Sequence, residues 1–258
     1  MHETPYLRVP VDQLENSLRD GAILTARRDE LAIPRPLSVM RIGTVSVRSG
    51  HLIAGDAGMA FEMAEPFVRH VPPGEYDVLV SIWGLFGRGD SPSDGMGDAP
   101  RAAHLALVLS RERPFQYEFA STGSKPLDWA PTDAFDGFGV DVGGVGLLDV
   151  ADLERFRSFS ENSDFLEIAD HTLRRHPEWG GIAGCVSVPT DPPMIVPMCD
   201  SGWGDGSYFS YWGLNATGVP VALIVDFDLD EKWASWGRLA KIPAFTRIVA
   251  RAASRKRT

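Results

Sequence analysis

The sequence predicts an α+β protein with a mainly antiparallel β-sandwich or barrel-like core, a few helices inserted late in the chain and a basic helix at the C-terminus. Short alternating or β-branched apolar runs recur between turns rich in Gly and Pro, which is typical of antiparallel sheets. Helical spacing is confined to a few segments, and the chain has no internal repeat. With 44% apolar and 23% charged residues, the composition excludes disordered and fibrous proteins.

The strands are predicted from alternation and from the turns that bound it. Ser38–Val47 alternates apolar with polar residues, and a turn at Ser49-Gly50 leads into His51–Ala54, which predicts a hairpin. Residues 27–36 are polar and end in Pro34 and Pro36, which predicts a connector. The other predicted strands are Glu75–Phe86, Ala102–Ser110, Phe115–Ala120, Met194–Met198, and the two strands of a hairpin, Ser207–Trp212 and Val219–Phe227.

Helices are predicted where apolar residues recur every three or four positions. Val11–Asp20 has such a pattern and ends at Gly21. Asp152–Phe159 and Ser163–Arg175 follow in the middle of the chain, with Ser163 as the predicted N-cap. The last predicted helix, Ala244–Ser254, begins after Pro243.

The 258 residues are predicted to form one main β-rich domain at 36–227, with an N-terminal extension at 1–35 and a C-terminal helical extension at 228–258. No stretch approaches the roughly 18 apolar residues of a membrane-spanning helix. The first ten residues lack the basic start and apolar core of a signal peptide. We therefore expect a cytoplasmic protein with no membrane span.

The net charge of −10 is unevenly distributed. Residues 241–258 carry six basic residues and no acidic one, so the first 240 residues have a net charge of −16. Residues 176–231 contain eight acidic residues and no Lys or Arg. An acidic body repels the phosphate backbone, which argues against nucleic-acid binding by the main domain. The same charge favours a basic protein partner or a hard cation.

Two glycine-rich segments contain the candidate binding residues. Phe138–Asp149 has four glycines and includes Asp141, and Cys199–Gly213 surrounds two aspartates with aromatic residues. Glycine allows a close backbone approach, and aromatic residues beside carboxylates are common in concave sites. A bulged turn and core aromatics are the alternative explanation. The candidate ligand-binding residues are Asp141, Asp200, Trp203, Asp205, Tyr208, Tyr211 and Trp212.

A third segment, Asp226-Phe-Asp-Leu-Asp230, is a candidate metal site. Side chains two residues apart share one face of an extended strand, so Asp226, Asp228 and Asp230 would converge and could hold Mg²⁺ or Ca²⁺. The alternative is that these aspartates simply lie in solvent at the end of a strand. In that case no metal ion or other cofactor is expected. The sequence has no His-Glu-x-x-His, Cys-x-x-Cys or Gly-x-Ser-x-Gly motif, and His104 is expected to be a core histidine.

Several of these segments resemble an uncharacterised bacterial family, the domain of unknown function numbered 4241. The resemblance covers about Ile42 to Phe227. It implies a cytoplasmic bacterial protein and, since some members are encoded beside toxin genes, a role in immunity or binding. The motifs that carry it are Gly43–Asp56, Pro72–Tyr76, Phe138–Asp141, Gly202–Tyr208, Tyr211–Gly213 and Val225–Phe227.

Two functions from different classes follow. The first is a binding protein without enzymatic activity, of the immunity type found in toxin–antitoxin pairs, which neutralises a basic toxin through an acidic surface. The second is a metal-assisted hydrolase, or a protein that binds a small ligand or carbohydrate in an Asp/Gly/aromatic pocket. Convergence of Asp141, Asp200, Asp205 and Asp226 in one pocket would favour the second. The basic segment at residues 241–258 is expected to pack on the rest of the chain through Phe245, Ile248 and Val249.

Overall fold

The computed structural model contains thirteen strands and two α-helices in the part of the chain that it describes. The described residues are 8–9, 14, 16, 18–28, 31–62, 64–85, 99–127 and 137–229. The first strands are β1 (Arg8–Val9), β2 (Ile23–Arg28), β3 (Leu31–Val47), β4 (Leu52–Asp56), β5 (Gly74–Trp83), β6 (Arg101–Val108), β7 (Gln116–Phe119), β8 (Phe138–Val140) and β9 (Gly144–Asp149). They are followed by α1 (Leu153–Glu161), α2 (Phe165–Arg174), β10 (Ala183–Val188), β11 (Met194–Asp200), β12 (Gly206–Leu214) and β13 (Pro220–Asp226).

The strands form two antiparallel sheets that pack face to face. The large sheet has the order β1-β7-β12-β13-β6-β5-β3-β2, with β8 also paired to β12, and it curls into a half-barrel. The small sheet has the order β10-β11-β9-β4. Alternate residues of the large sheet, such as Val78 and Val80 of β5, belong to the same buried core cluster as Val145 and Leu147 of β9. The predicted α+β class with a barrel-like antiparallel core is confirmed.

The two helices cover the other face of the small sheet. Phe156 of α1 and Phe165 of α2 meet edge to face, with ring centroids 4.8 Å apart, and both belong to one buried cluster with Val186 and Val196 of the small sheet. The N-cap of α2 is Asp164, which accepts the Glu167 N–H, and not the predicted Ser163. The Ser163 hydroxyl instead donates to the Phe159 carbonyl at the end of α1, so it is not available as a cap.

The predicted connector at residues 27–36 is wrong, because residues 27–28 and 31–36 belong to the paired strands β2 and β3. The boundary predicted between residues 35 and 36 therefore falls inside β3. Pro34 and Pro36 are tolerated because β3 pairs with β5 only from Leu37 onward. Proline lacks the backbone N–H group, and in residues two apart this group would point to the same side of the strand. On that side β5 does not pair with positions 34 and 36, so the two prolines cost no hydrogen bond.

The predicted hairpin near the end of the chain is confirmed. Residues of β12 and β13 pair in antiparallel register from Phe209↔Asp226 to Leu214↔Pro220. The predicted helix at Ala244–Ser254 lies outside the described residues, as do five of the ten residues of the predicted helix at Val11–Asp20.

The Asp149 carboxylate fixes the turn that connects the two sheets. This turn, between β3 of the large sheet and β4 of the small sheet, donates the N–H groups of Arg48 and Ser49 and the Ser49 hydroxyl to Asp149. The Ala151 N–H also donates to it, at 3.0 Å. Burial by itself would raise the pKa of Asp149, but these hydrogen bonds outweigh it and lower the pKa.

We predict that Asp149→Asn lowers the free energy of unfolding by about 2–3 kcal/mol at pH 7, because hydrogen bonds to a buried charge are lost. This corresponds to a fall of roughly 5–10 °C in the melting temperature. Because the pKa is lowered in the folded state, the stabilisation is present above the ordinary value of 3.8 and disappears as the pH falls below it. Calorimetry between pH 3 and pH 7 measures both effects.

The matched control is Asp77→Asn, which removes an exposed carboxylate paired with Arg41. It should change the stability by less than about 1 kcal/mol, since exposed ion pairs contribute little. Equal melting temperatures for the two variants would contradict the role assigned to Asp149.

Candidate acidic cleft

The two glycine- and aspartate-rich segments lie side by side. Strand β8 pairs with β12 so that Val140 is opposite Gly206 and Phe138 is opposite Tyr208. The Ser201 N–H also donates to the Gly143 carbonyl at 2.8 Å. The β8–β9 turn and the β11–β12 turn therefore meet at one end of the protein, and this places Asp205 and Tyr208 near the Gly139–Gly146 segment.

A cleft of about 580 Å³ opens beside these two turns, between α2 and the ends of β9 and β11. We call it the acidic cleft, after the carboxylates in its wall and on the adjoining turns. Its apolar lining consists of Val142, Leu166, Ala169, Leu173, Pro177 and Met198. The remaining lining residues are Gly144, Gly180, Gly181, Asp170, Arg174 and Asp200.

The buried Asp56 holds the β8–β9 turn in place. One carboxylate oxygen accepts the N–H groups of Asp141 and Val142 at 2.7 and 3.0 Å. The other accepts those of Gly58 and Met59 at 2.9 and 3.2 Å. Four backbone donors satisfy a carboxylate that is only 2% exposed. Val142 is thereby fixed at the mouth of the acidic cleft.

Gly58 lets α2 approach this turn closely. A Cβ atom at Gly58 would lie 2.2 Å from Val142 Cγ2 and 2.6 Å from Leu166 Cδ2. Both of these side chains remain substantially exposed, Val142 at 41% and Leu166 at 46%. Two apolar side chains in contact with solvent therefore border the cleft where the turn and the helix meet.

Asp200 is the most perturbed carboxyl group of the acidic cleft. Its side chain remains in contact with solvent, but the surrounding protein desolvates the carboxylate and raises its pKa to about 6. The charge of Asp170 across the cleft raises it further, and Arg101 acts in the opposite direction. Asp170 accepts from Arg174 Nε at 2.8 Å, whereas Asp200 forms no ion pair with another residue that the structure describes.

Four of the predicted ligand-binding residues gather at this end. Asp200 lines the cleft, and Asp141 and Asp205 are exposed on the two adjoining turns. Trp203 is half-buried on the β11–β12 turn, where the Arg101 guanidinium lies over its ring, 4.4 Å from the centroid. Arg101 also donates to the Gly202 carbonyl at 3.0 Å, so it contacts both a side chain and the backbone of this turn.

The other three predicted residues are buried. The Tyr208 hydroxyl lies 2.7 Å from the Gly204 carbonyl and 3.2 Å from that of Ser201, and burial raises its pKa to about 12. Tyr211 and Trp212 point to opposite faces of β12 and pack in separate apolar clusters. None of the three lines the acidic cleft. Their rings position the turn and fill the core.

The carboxylates after β13 do not form the predicted extended arrangement. The strand ends at Asp226, which accepts the Asp228 N–H at 2.9 Å, and the chain turns at Asp228 with φ of +56°. Asp226 also lies 3.5 Å from Nε2 of the buried His104. Asp230 lies outside the described residues. Within the described ranges, no group of three or more His, Cys, Asp or Glu residues is arranged to hold a metal ion.

Local sequence patterns did not reveal several residues of the cleft. Asp170, Arg174 and Leu166 come from α2, whose apolar periodicity predicted only a buried face. Asp56 could have been found, because an aspartate followed closely by glycine at the end of a strand is typical of a side-chain-stabilised turn.

Comparison with known proteins identifies the family. Residues 45–225 match the family described as "Protein of unknown function (DUF4241)", and the chain belongs to it. The match includes every residue that lines the acidic cleft but excludes β1 and β2. No curated protein and no solved structure shows a significant match. None of the helices that the structure describes has the length and apolar content needed to cross a membrane.

We predict that Asp200→Asn stabilises the protein at pH 7.5 and not at pH 4. A pKa of about 6 in place of the ordinary 3.8 means that the folded state holds this proton more tightly than the unfolded state. The stability of the unmodified protein therefore falls as the pH rises from about 4 to 6. Because solvent screens this carboxylate, we expect a gain of only about 1 kcal/mol, measured by denaturant unfolding.

Asp141→Asn is the control, since it removes an exposed carboxylate from the neighbouring turn. It should alter the stability by no more than about 0.5 kcal/mol at either pH. If Asp200→Asn is no more stable than the unmodified protein at pH 7.5, the ionised Asp200 carboxylate does not destabilise the folded protein and this prediction is wrong.

Proposed function

We propose that the protein binds a basic protein partner in the cytoplasm through the acidic cleft and the turns beside it, as an immunity protein binds and neutralises a basic toxin. The observation that carries this proposal is the grouping of Asp141, Asp170, Asp200 and Asp205 around exposed apolar side chains. The charge of −16 over the first 240 residues supports it, because such a body attracts cationic proteins from a distance. The same charge disfavours nucleic acid as the partner.

The acidic cleft fits a lysine or arginine side chain of the partner. The aliphatic stem would lie on Val142, Leu166 and Met198, and the charged head would reach the carboxylates. Asp170 already has a partner in Arg174, which leaves Asp200 to receive the incoming cation. The exposed carboxylates of Asp141 and Asp205 would then increase the association rate more than the final affinity.

Binding of a small cationic ligand is a second candidate function, favoured by the volume of the cleft. About 580 Å³ lies within the usual range of ligand pockets. A carbohydrate would need an aromatic platform, and the buried Tyr208, Tyr211 and Trp212 do not supply one to the cleft. For the metal-assisted hydrolase, the described residues offer no cluster of three ligating groups.

The proposal is tested with partners captured from the native host and identified by mass spectrometry. The association rate of each purified partner is measured between 20 and 500 mM NaCl. We expect the specific partner to be a basic protein whose association slows at least tenfold over this range, because exposed charges are screened beyond about 4 Å at the highest salt. An acidic partner, or an association rate that does not depend on salt, would overturn the proposal.

Two variants of equal net charge locate the binding surface. Asp141→Lys with Asp205→Lys reverses two charges beside the cleft, whereas Asp77→Lys with Glu154→Lys reverses two exposed charges elsewhere. We predict that the first pair slows association roughly tenfold or more at low salt and that the second has a much smaller effect. Equal slowing by both pairs would show that general charge, and not the acidic cleft, attracts the partner.

A further inference from the structure

The basic segment at residues 241–258, which we call the basic tail, has no assigned role. Its six cations are Lys241, Arg247, Arg251, Arg255, Lys256 and Arg257. They follow a body that carries a net charge of −16. In addition to these charges, the basic tail contains Phe245, Ile248 and Val249, so it can offer both apolar and cationic contacts.

The described part of the chain ends against the β11–β12 turn, which adjoins the acidic cleft. Leu229, the last described residue, is 1% exposed and packs in one cluster with Trp203 of the β11–β12 turn. The contact is close, because a Cβ atom at Gly202 would lie 2.6 Å from the Phe227 carbonyl oxygen and 3.3 Å from Leu229 Cδ2. Gly202 follows Asp200, a residue of the cleft wall, by only two positions.

The connection is long enough for the basic tail to reach the cleft. Eleven residues lie between Leu229 and Lys241, and such a length of extended chain spans roughly 40 Å. The end of the described chain contacts Gly202, which is two positions from Asp200 in the cleft wall. A tether of this kind gives an effective local concentration of about a millimolar, which makes even a weak contact well populated.

We propose that the basic tail occupies the acidic cleft of its own chain and competes there with the basic partner. The cations lie against Asp141, Asp200 and Asp205, and the apolar residues of the tail cover Val142 and Leu166. The first half of this inference is that the tail occupies the cleft. The second half, that it competes with a basic partner, rests on the proposed function. A tail that fills the cleft nine-tenths of the time lowers the apparent affinity for the partner about tenfold.

Carbodiimide cross-linking of the full chain tests the first half of the inference. The reagent joins a lysine amine to a carboxylate in direct contact, and the chain has four lysines, two of them in the basic tail: Lys125, Lys232, Lys241 and Lys256. An equal mixture of unlabelled and ¹⁵N-labelled protein at about 1 μM separates links within one chain from links between chains. We expect intrachain links from Lys241 or Lys256 to Asp141, Asp170, Asp200 or Asp205 at 20 mM NaCl, and their loss at 500 mM NaCl.

The matched variants change arginines and leave every lysine in place. Arg251→Gln with Arg255→Gln should reduce these links severalfold, whereas Arg111→Gln with Arg113→Gln, in the exposed β6–β7 turn, should not. Decaarginine, whose guanidinium groups form no stable amide with activated carboxylates, should displace the basic tail and reduce the links to the same extent.

Three results would overturn the inference: links from the tail lysines chiefly to carboxylates outside the cleft, links only between chains, or no links from the basic tail at low salt. Partner binding is measured separately, so the two proposals can fail independently. If the tail does not link to the cleft but the partner still binds in a salt-dependent manner, only the inference about the tail is wrong. If the tail links to the cleft but no basic partner binds, the proposed function is wrong.

Discussion

The carboxylate of Asp56 is the constraint on which the candidate site depends. It lies at the end of β4, almost without solvent contact, and accepts four backbone N–H groups from two different turns. A charge in this position is stable only because each turn supplies its donors, so the two turns and the carboxylate order one another. The position of Val142 over α2, and with it the mouth of the acidic cleft, follows from this arrangement.

Most of the fold could be predicted from the sequence, because a buried face imposes a regular spacing of apolar residues on each strand or helix. This spacing is visible within a single segment of the sequence. The alternation in Val219–Phe227 was sufficient to predict β13 and its hairpin with β12. The β2–β3 hairpin was missed because its prolines are typical of connectors. They are compatible with a strand only where one neighbour is absent, and that depends on the arrangement of the whole sheet.

The candidate site was predicted only in part, for a similar reason. Asp141, Asp200 and Asp205 stand out in the sequence because they lie in or directly beside glycine-rich turns. Composition cannot show which face of a strand a ring occupies, so Tyr211 and Trp212 were grouped with these aspartates although both are buried. Asp170 and Arg174 belong to a helix that packs on the turn from a distant part of the chain, and no local pattern indicates such a contact.

Asp200 connects the electrostatics of the cleft with its proposed occupants. A carboxylate whose pKa is raised to about 6 is held in the folded state at a cost, because its charge is poorly solvated and lies near that of Asp170. A cation placed beside it lowers the pKa again and removes that cost, so cation binding and proton binding at Asp200 oppose each other. Either the basic tail or a basic partner can supply the cation. Both should therefore bind more weakly as the pH falls below about 6, and the two are expected to exclude each other at this one carboxylate.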